Sequence, residues 1–365
     1  MNRRSKFLNF VLNPINVNNV LVIRNGMIGD IVSITPVLIK LIETYPSVKI
    51  DLIIGSKAVD VLKNFPNVRN IYPFTFNYSI VSILKQIVFF SGLARGRYDV
   101  VIVQEVNTHF SLMAKLVRAK FTVGFENNVS WLYDYSVKRP LKTMAIAETE
   151  TVLSWTEPDS NIKTALFVST EEREKASRLL ETEGINPHEK FLLIHPGSHS
   201  ANSYRQWMSS GYADVADYFI SEYGWKVVFT GIERDSDVIN NILKKMKYPG
   251  ISVAGKINLR EFIAVIQAAS LVIGPDTGTL HIAAAVDSCA IMLMGISDPM
   301  DTGVYHPGGK AKIVRSNLPC SPCANSVIKP EQWKICVNMH PVECMRQLNP
   351  EMVIRAAKEL IINNI

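Results

Sequence analysis

No run of apolar residues in this 365-residue chain is long enough to cross a bilayer. The longest, Ile80 to Ala94, is interrupted by Lys85 and Gln86 and falls short of the roughly 18 to 20 residues that a spanning helix needs. It reads either as a helix packed within the protein or as one that leans on a membrane surface. A secretory signal is missing too, because asparagines and a proline break the first apolar stretch and no small-residue cleavage site follows it. A cytoplasmic protein is therefore expected. Charge of one sign is scarce: 39 Lys and Arg against 33 Asp and Glu leave a formal +6. With no RNA- or DNA-binding signature beside so mild an excess, no nucleic-acid partner is expected. Part of the excess, Arg3, Arg4 and Lys6, is interleaved with Phe7 and Phe10. Such a tail is either a solvated, disordered end or a contact for anionic lipid or nucleic acid.

Cysteine is sparse, five in all, yet four of the five fall in Cys320-x2-Cys323-x12-Cys336-x7-Cys344. In a reducing compartment a cluster suggests a structural zinc before it suggests disulfides. The first pair has ligand spacing and the second does not repeat it, so the alternatives are a zinc held by all four or four unlinked thiols in a loop-rich lobe. Cys289 reads as core.

What is present is a strand–helix alternation that runs twice. The length calls for two domains. Strands are predicted at residues 20–24, 49–54, 99–103 and 121–124, and again at 191–194, 225–229, 251–254, 271–274 and 290–295. Helical stretches at 31–45, 60–64, 111–117 and 148–155 fall among the first set. Others at 171–183, 212–223, 236–246, 259–269 and 279–286 separate the second, and one at 351–362 closes the chain. That order gives parallel sheets covered on both faces. The pattern loosens between Lys138 and Thr170, which places a first Rossmann-like domain at 1–160 and a second at 161–347. A terminal segment, 348–365, is free to pack back on the first.

Ligands of doubly wound sheets sit beyond the carboxyl ends of the strands, and the glycine-bearing turns lie there. Gly26 and Gly29 follow the strand ending at Arg24, Gly231 and Glu233 follow the strand ending at Phe229, and Asp276-Thr277-Gly278-Thr279 follows the strand ending at Gly274. The last turn opens a small-residue helix whose first N–H groups and dipole make an anion site. Asp276 would repel a phosphate, so it reads as a shaper of the turn or a sugar contact, with Thr277 to Thr279 meeting the anion. Asp30 is either a base or a carboxylate favoured by its place at a helix start. His281 lies four residues after Thr277 and shares its side of the helix, and Glu233 is either a ribose ligand or a solvated loop charge. The first turn lacks the third glycine of the dinucleotide fingerprint, which argues against a dehydrogenase.

Arg24-x-Gly26-x-x-Gly29-Asp30 with Thr35-Pro36 downstream, His195-Pro196-Gly197 followed by Arg205-x-Trp207, and Asp276-Thr277-Gly278-x-x-His281 together resemble glycosyltransferase family 9, the ADP-heptose:lipopolysaccharide heptosyltransferases. The resemblance implies a GT-B fold: two Rossmann-like α/β domains facing across a cleft, the acceptor held by the first and the nucleotide-sugar donor by the second. It implies an inverting transfer, without metal or other catalytic cofactor, from ADP-heptose to a lipid-linked inner-core acceptor at the cytoplasmic face of the inner membrane. Asp30 matches the family's catalytic base, with Arg24, Gly26 and Gly29 on the acceptor side. Ser198, Ser200, Arg205, Gly231, Glu233, Asp276, Thr277, Gly278, Thr279 and His281 fall on the donor side. Arg205 stands where the family commonly has Lys, which keeps the charge and changes the geometry. The same fold acting on another nucleotide sugar, or binding one without turnover, is the alternative.

Overall fold

A computed structural model describes residues 2–156, 162–186, 188–197, 204–325, 336 and 342–364. The chain divides between Leu166 and Phe167 into two compact units. In the first, β1 (Asn19–Arg24), β2 (Lys49–Gly55), β3 (Val68–Phe74), β4 (Val100–Val103), β5 (Phe121–Phe125) and β6 (Tyr135–Val137) form a parallel sheet in the order β3-β2-β1-β4-β5-β6. Its helices are α1 (Arg3–Val11), α2 (Ile28–Ser33), α3 (Thr35–Thr44), α4 (Ile80–Gly92), α5 (Thr108–Leu116) and α6 (Met144–Leu153). The central strands β1 and β4 are β-branched runs covered on both faces, and Leu21, Ile23, Val101 and Val103 meet Phe90 of α4 and Phe110 and Met113 of α5 in one core.

The second unit repeats the plan. Here β7 (Phe191–Ile194), β8 (Lys226–Phe229), β9 (Ile251–Ser252), β10 (Leu271–Pro275), β11 (Cys289–Met294) and β12 (Ala311–Arg315) are ordered β12-β11-β10-β7-β8-β9, again all parallel. Around them lie α7 (Thr170–Thr182), α8 (Ser209–Tyr223), α9 (Ser236–Leu243), α10 (Leu259–Ala268) and α11 (Gly278–Ala285), then the short α12 (Pro299–Thr302) and α13 (Glu343–Arg346), and last α14 (Pro350–Asn364). Helix α14 packs on α8, β11 and β12, and its Val353, Ala357 and Leu360 join the core of this unit.

Each sheet therefore runs outward one way and then the other from a central pair, β1 and β4 in the first unit and β7 and β10 in the second. Ligands of such sheets settle beyond the carboxyl ends of the strands at that switch point.

Some local expectations are corrected. The basic N-terminal stretch is helical: Phe7 is fully buried, with its ring centroid 5.6 Å from that of Phe121 and 5.1 Å from that of Trp155, and Arg4 stacks over Tyr135. The apolar side chains spaced among its charges are what dock it. The helix expected at 60–64 is instead a 3-10 turn at Ser56–Leu62. Strands β3, β6 and β12, all at sheet edges, lack the long apolar runs that mark the central strands.

Candidate functional site

The switch point of the first unit is built around Arg24, the last residue of β1. The Gln104 N–H donates to the Ile23 carbonyl, which sets the start of the loop after β4 beside the end of β1. That pairing brings Glu105 within reach, and it accepts from Arg24 Nη1 at 3.1 Å and from the Asn25 N–H at 2.8 Å. Arg24 Nη2 donates to Asp30 Oδ1 at 2.9 Å and lies 3.5 Å from Glu148 Oε1 on α6. Arg139 approaches the same Glu148 oxygen at 3.7 Å.

Asp30 sits in the first turn of α2, where its Oδ2 also accepts the Met27 N–H at 2.7 Å. Two bonds thus fix the carboxylate's orientation while its side chain stays 26% exposed. Gly26 makes the arrangement possible: a Cβ there would stand 2.7 Å from Asp30 Cγ, closer than carbon atoms pack. Gly29 immediately precedes Asp30 in that turn.

Two guanidinium groups face three carboxylates, so full ionisation would leave one negative charge in excess in a buried place. The imbalance falls mainly on Glu148. Burial pushes its carboxyl up to about 7, against the pull of Arg24 and Arg139. Burial raises Glu105 as well, with Arg24 opposing. Burial would by itself lower the Arg24 guanidinium, but Glu148, Asp30 and Glu105 outweigh it and keep Arg24 charged. The Oε2 of Glu148 and Nε of Arg24 are buried without hydrogen-bond partners among the described residues.

The second unit repeats the geometry at its own switch point. The His195 N–H donates to the Ile273 carbonyl. A Cβ on Gly274 would lie 2.7 Å from the His195 carbonyl oxygen, so β7 and β10 end in close apposition only because residue 274 has none. Past β10, Asp276 is buried. Its Oδ2 accepts from Thr302 Oγ1 at 3.1 Å, and its carbonyl accepts from Arg205 Nη1 at 3.0 Å. Arg205 Nε stands 3.6 Å from the same Oδ2. Asp276 is therefore a tied-down corner of the turn.

Thr277 is the N-cap of α11, and Gly278 and Thr279 form its first turn, whose N–H groups have no carbonyl of the same helix to meet. The Thr277 hydroxyl gives no capping bond and is buried without a hydrogen-bond partner among the described residues. Natural folds seldom leave such a group unanswered, and a site awaiting an anion is one reason to do so.

Arg205, Asp276, Thr277, Gly278 and Thr279 are thus brought together, and His281 is half-buried on α11 one turn on. Gly231 and Glu233 lie after β8, two strands from β10, with Glu233 exposed against the Gly255 turn. Ser198 and Ser200 fall outside the described residues. Sequence reasoning missed Glu105, Arg139, Glu148 and Thr302. Of these, Glu105 carried a usable signal, since it follows a buried strand at the position that doubly wound topology makes a ligand end.

The four clustered cysteines are not disulfide-bonded. Burial raises the Cys344 thiol to about 11, with smaller contributions from Cys336, Cys323 and Cys320. Among the described residues no group of three or more His, Cys, Asp or Glu side chains is disposed to hold a metal ion, so a structural zinc has no support here. No helix of the described residues is long and apolar enough to cross a membrane.

The family model for glycosyltransferase family 9 (heptosyltransferase) matches residues 87–334. The lipopolysaccharide core heptosyltransferase OpsX of Haemophilus influenzae is 26% identical over 301 residues, covering 78% of this chain and 81% of that protein. Among solved structures, a family 9 glycosyl transferase from Veillonella parvula superposes with a TM-score of 0.81 at 21% identity, covering 94% of this chain and 97% of that one. The ADP-heptose LPS heptosyltransferase II of E. coli gives 0.73 at 19% identity, covering 94% and 98%. The two doubly wound α/β units are of the GT-B kind that the sequence reading expects.

Proposed function

The chain belongs to glycosyltransferase family 9, and we propose that it moves heptose from ADP-heptose to a lipopolysaccharide inner-core acceptor with inversion at the anomeric carbon. The observation that carries this reading is the Asp30 carboxylate, held by Arg24 and the Met27 N–H at the carboxyl end of β1 and still open to solvent.

In this reading the acceptor lies over the first unit and the donor over the second. Asp30 takes the proton of the acceptor hydroxyl as that oxygen attacks the anomeric carbon. The new carbon–oxygen bond forms as the bond to the β-phosphate oxygen breaks, and the electron pair leaves with ADP. A direct displacement on the face opposite the leaving group inverts the centre and needs no covalent enzyme intermediate. Thr277, Thr279 and the first-turn N–H groups of α11 meet the diphosphate, with Arg205 supplying positive charge beside them. That cradle answers the leaving charge without a metal ion. Glu233 and His281 are the candidates for the nucleoside, and Arg24, Gly26 and Gly29 shape the acceptor end. The enzyme works in the cytoplasm, at the cytoplasmic face of the inner membrane, where its lipid-linked acceptor is exposed.

Purified protein incubated with ADP-heptose and truncated lipopolysaccharide acceptors, read by mass spectrometry, tests this. The expected product carries one added heptose, formed equally well with a chelator present. A panel of other nucleotide sugars that react while ADP-heptose does not would overturn the donor assignment.

A further inference from the structure

Helix α4 buries polar groups and exposes aliphatic ones. Ile80 and Val88 are 78% and 73% exposed, and Val81, Leu84 and Ile87 stand open beside them. Gln86, by contrast, is buried. Its amide nitrogen donates to the Asn77 carbonyl and Ser82 Oγ, and its Oε1 pairs with the His109 ring at 2.7 Å. Phe89 and Phe90 fix the inner side against Phe74. At 3.6 residues per turn the five exposed aliphatic side chains fill one continuous arc about 120° wide. Lys85 lies at the edge of that arc, and Tyr78 is exposed just before the helix begins. An apolar face of this kind on a soluble unit marks a surface that something else covers.

Charge narrows what covers it. The helix contains no acidic residue. Lys85 and, just beyond the helix, Arg95 and Arg97 are exposed and have no acidic partner among the described residues. Residues 1–166 hold 19 of the 39 basic side chains and 12 of the 33 acidic ones, a net charge of +7, whereas the rest of the chain is net −1. The whole positive excess thus lies in the unit that carries this helix. Aliphatic side chains rimmed by unpaired cations match the layered chemistry of an anionic bilayer, with an acyl interior beneath a negatively charged headgroup plane.

We propose that the outer face of α4, rimmed by Lys85, Arg95 and Arg97, docks this protein on an anionic membrane surface. The helix leaves the sheet after β3, so its first turn lies at the carboxyl end of the strands, the end that carries Arg24 and Asp30. Seating that turn in the headgroup layer brings the acceptor end of the first unit to the bilayer. The purpose rests on the lipid-linked acceptor of the proposed function; the docking itself does not.

Sedimentation of the full chain with vesicles, with no sugar donor or acceptor present, tests the docking. Vesicles of phosphatidylcholine containing about 30% phosphatidylglycerol should bind the protein, and pure phosphatidylcholine vesicles should bind it at least about tenfold more weakly. The double substitution Leu84→Ser and Val88→Ser should lower partitioning to the anionic vesicles by roughly tenfold or more, with an unchanged circular dichroism melt. Ile362→Ser, at an even more exposed aliphatic side chain of the second unit, should leave partitioning as it was. Wild-type protein that ignores anionic vesicles overturns the proposal, as does a double variant that binds like wild type. If sedimentation velocity instead finds a dimer that the same substitutions dissolve, and vesicles are not bound, the face belongs to a second copy and the proposal fails. Transfer to a lipid-free acceptor, measured on the same variant, should be unchanged. Protein that binds vesicles but transfers no heptose would count against the proposed function and not against the docking.

Discussion

Arg24 and Asp30 meet across a 2.9 Å hydrogen bond between the last residue of β1 and the first turn of α2. The same guanidinium is held from behind by Glu105 and Glu148. Arg24 therefore links a buried carboxylate pair to the partly exposed carboxylate assigned as base, and its removal has two separable effects.

Replacing Arg24 with Met leaves Glu105 and Glu148 buried without their nearest cation. The expected cost is on the order of 3–5 kcal/mol, seen as a drop in the thermal unfolding midpoint, together with a fall in kcat because Asp30 loses an orienting contact. Arg24→Lys restores charge without the fork and should recover more stability than activity. Equal recovery of both would mean that Arg24 acts on the fold alone.

Glu148 carries a pH signature. Its folded pKa of about 7 lies above the ordinary value of 4.5. The folded state thus keeps a proton that the unfolded chain has already released between those limits. The stability it contributes is full below about pH 4.5 and is lost as pH rises through 7, by up to roughly 3 kcal/mol. Glu148→Gln cannot ionise, so wild type should lose stability relative to this variant between pH 5 and pH 8. Parallel stability curves across that window would show that Glu148 is ionised throughout.

At the donor end, the buried Thr277 hydroxyl has no hydrogen-bond partner among the described residues. Thr277→Val keeps the shape and removes the orphaned group. Stability should change by less than about 1 kcal/mol, whereas ADP should bind roughly tenfold more weakly. Calorimetric titration with ADP alongside a thermal melt separates the two. A destabilised variant with unchanged ADP affinity would assign the hydroxyl to the fold.

Parts of this structure were legible in the sequence for physical reasons. The central strands β1, β4, β7, β10 and β11 are covered on both faces and had to be written as apolar runs. The edge strands β3, β6 and β12 did not: β3, with Arg69, Asn70 and Pro73, is half-exposed, and a proline costs nothing on an unpaired edge. Asp30, Gly26 and the Asp276 turn could be picked out because glycine and capping residues must stand where a strand turns into a helix. Glu148 gave no such sign. It lies in a stretch that reads as a loosening between domains, and only the packing of α6 against α2 and α3 carries it under Arg24. Long-range ion pairs of this sort leave no spacing in the chain, since residues 24, 105 and 148 belong to three elements that topology alone brings together.

The most direct measurement is single-turnover heptose transfer by Asp30→Asn, set beside ADP-heptose affinity and the thermal melt of the same variant. Asparagine keeps the shape but has one acceptor oxygen where Asp30 uses two, so it can accept from Arg24 or from the Met27 N–H and not from both, and it cannot take a proton. The rate should fall by about 10²–10⁴-fold while donor affinity stays within a factor of about two or three of wild type and the loss of one hydrogen bond lowers stability by only about 1–2 kcal/mol. Transfer at the wild-type rate by Asp30→Asn would contradict Asp30 as the base and, with it, the mechanism assigned to this site.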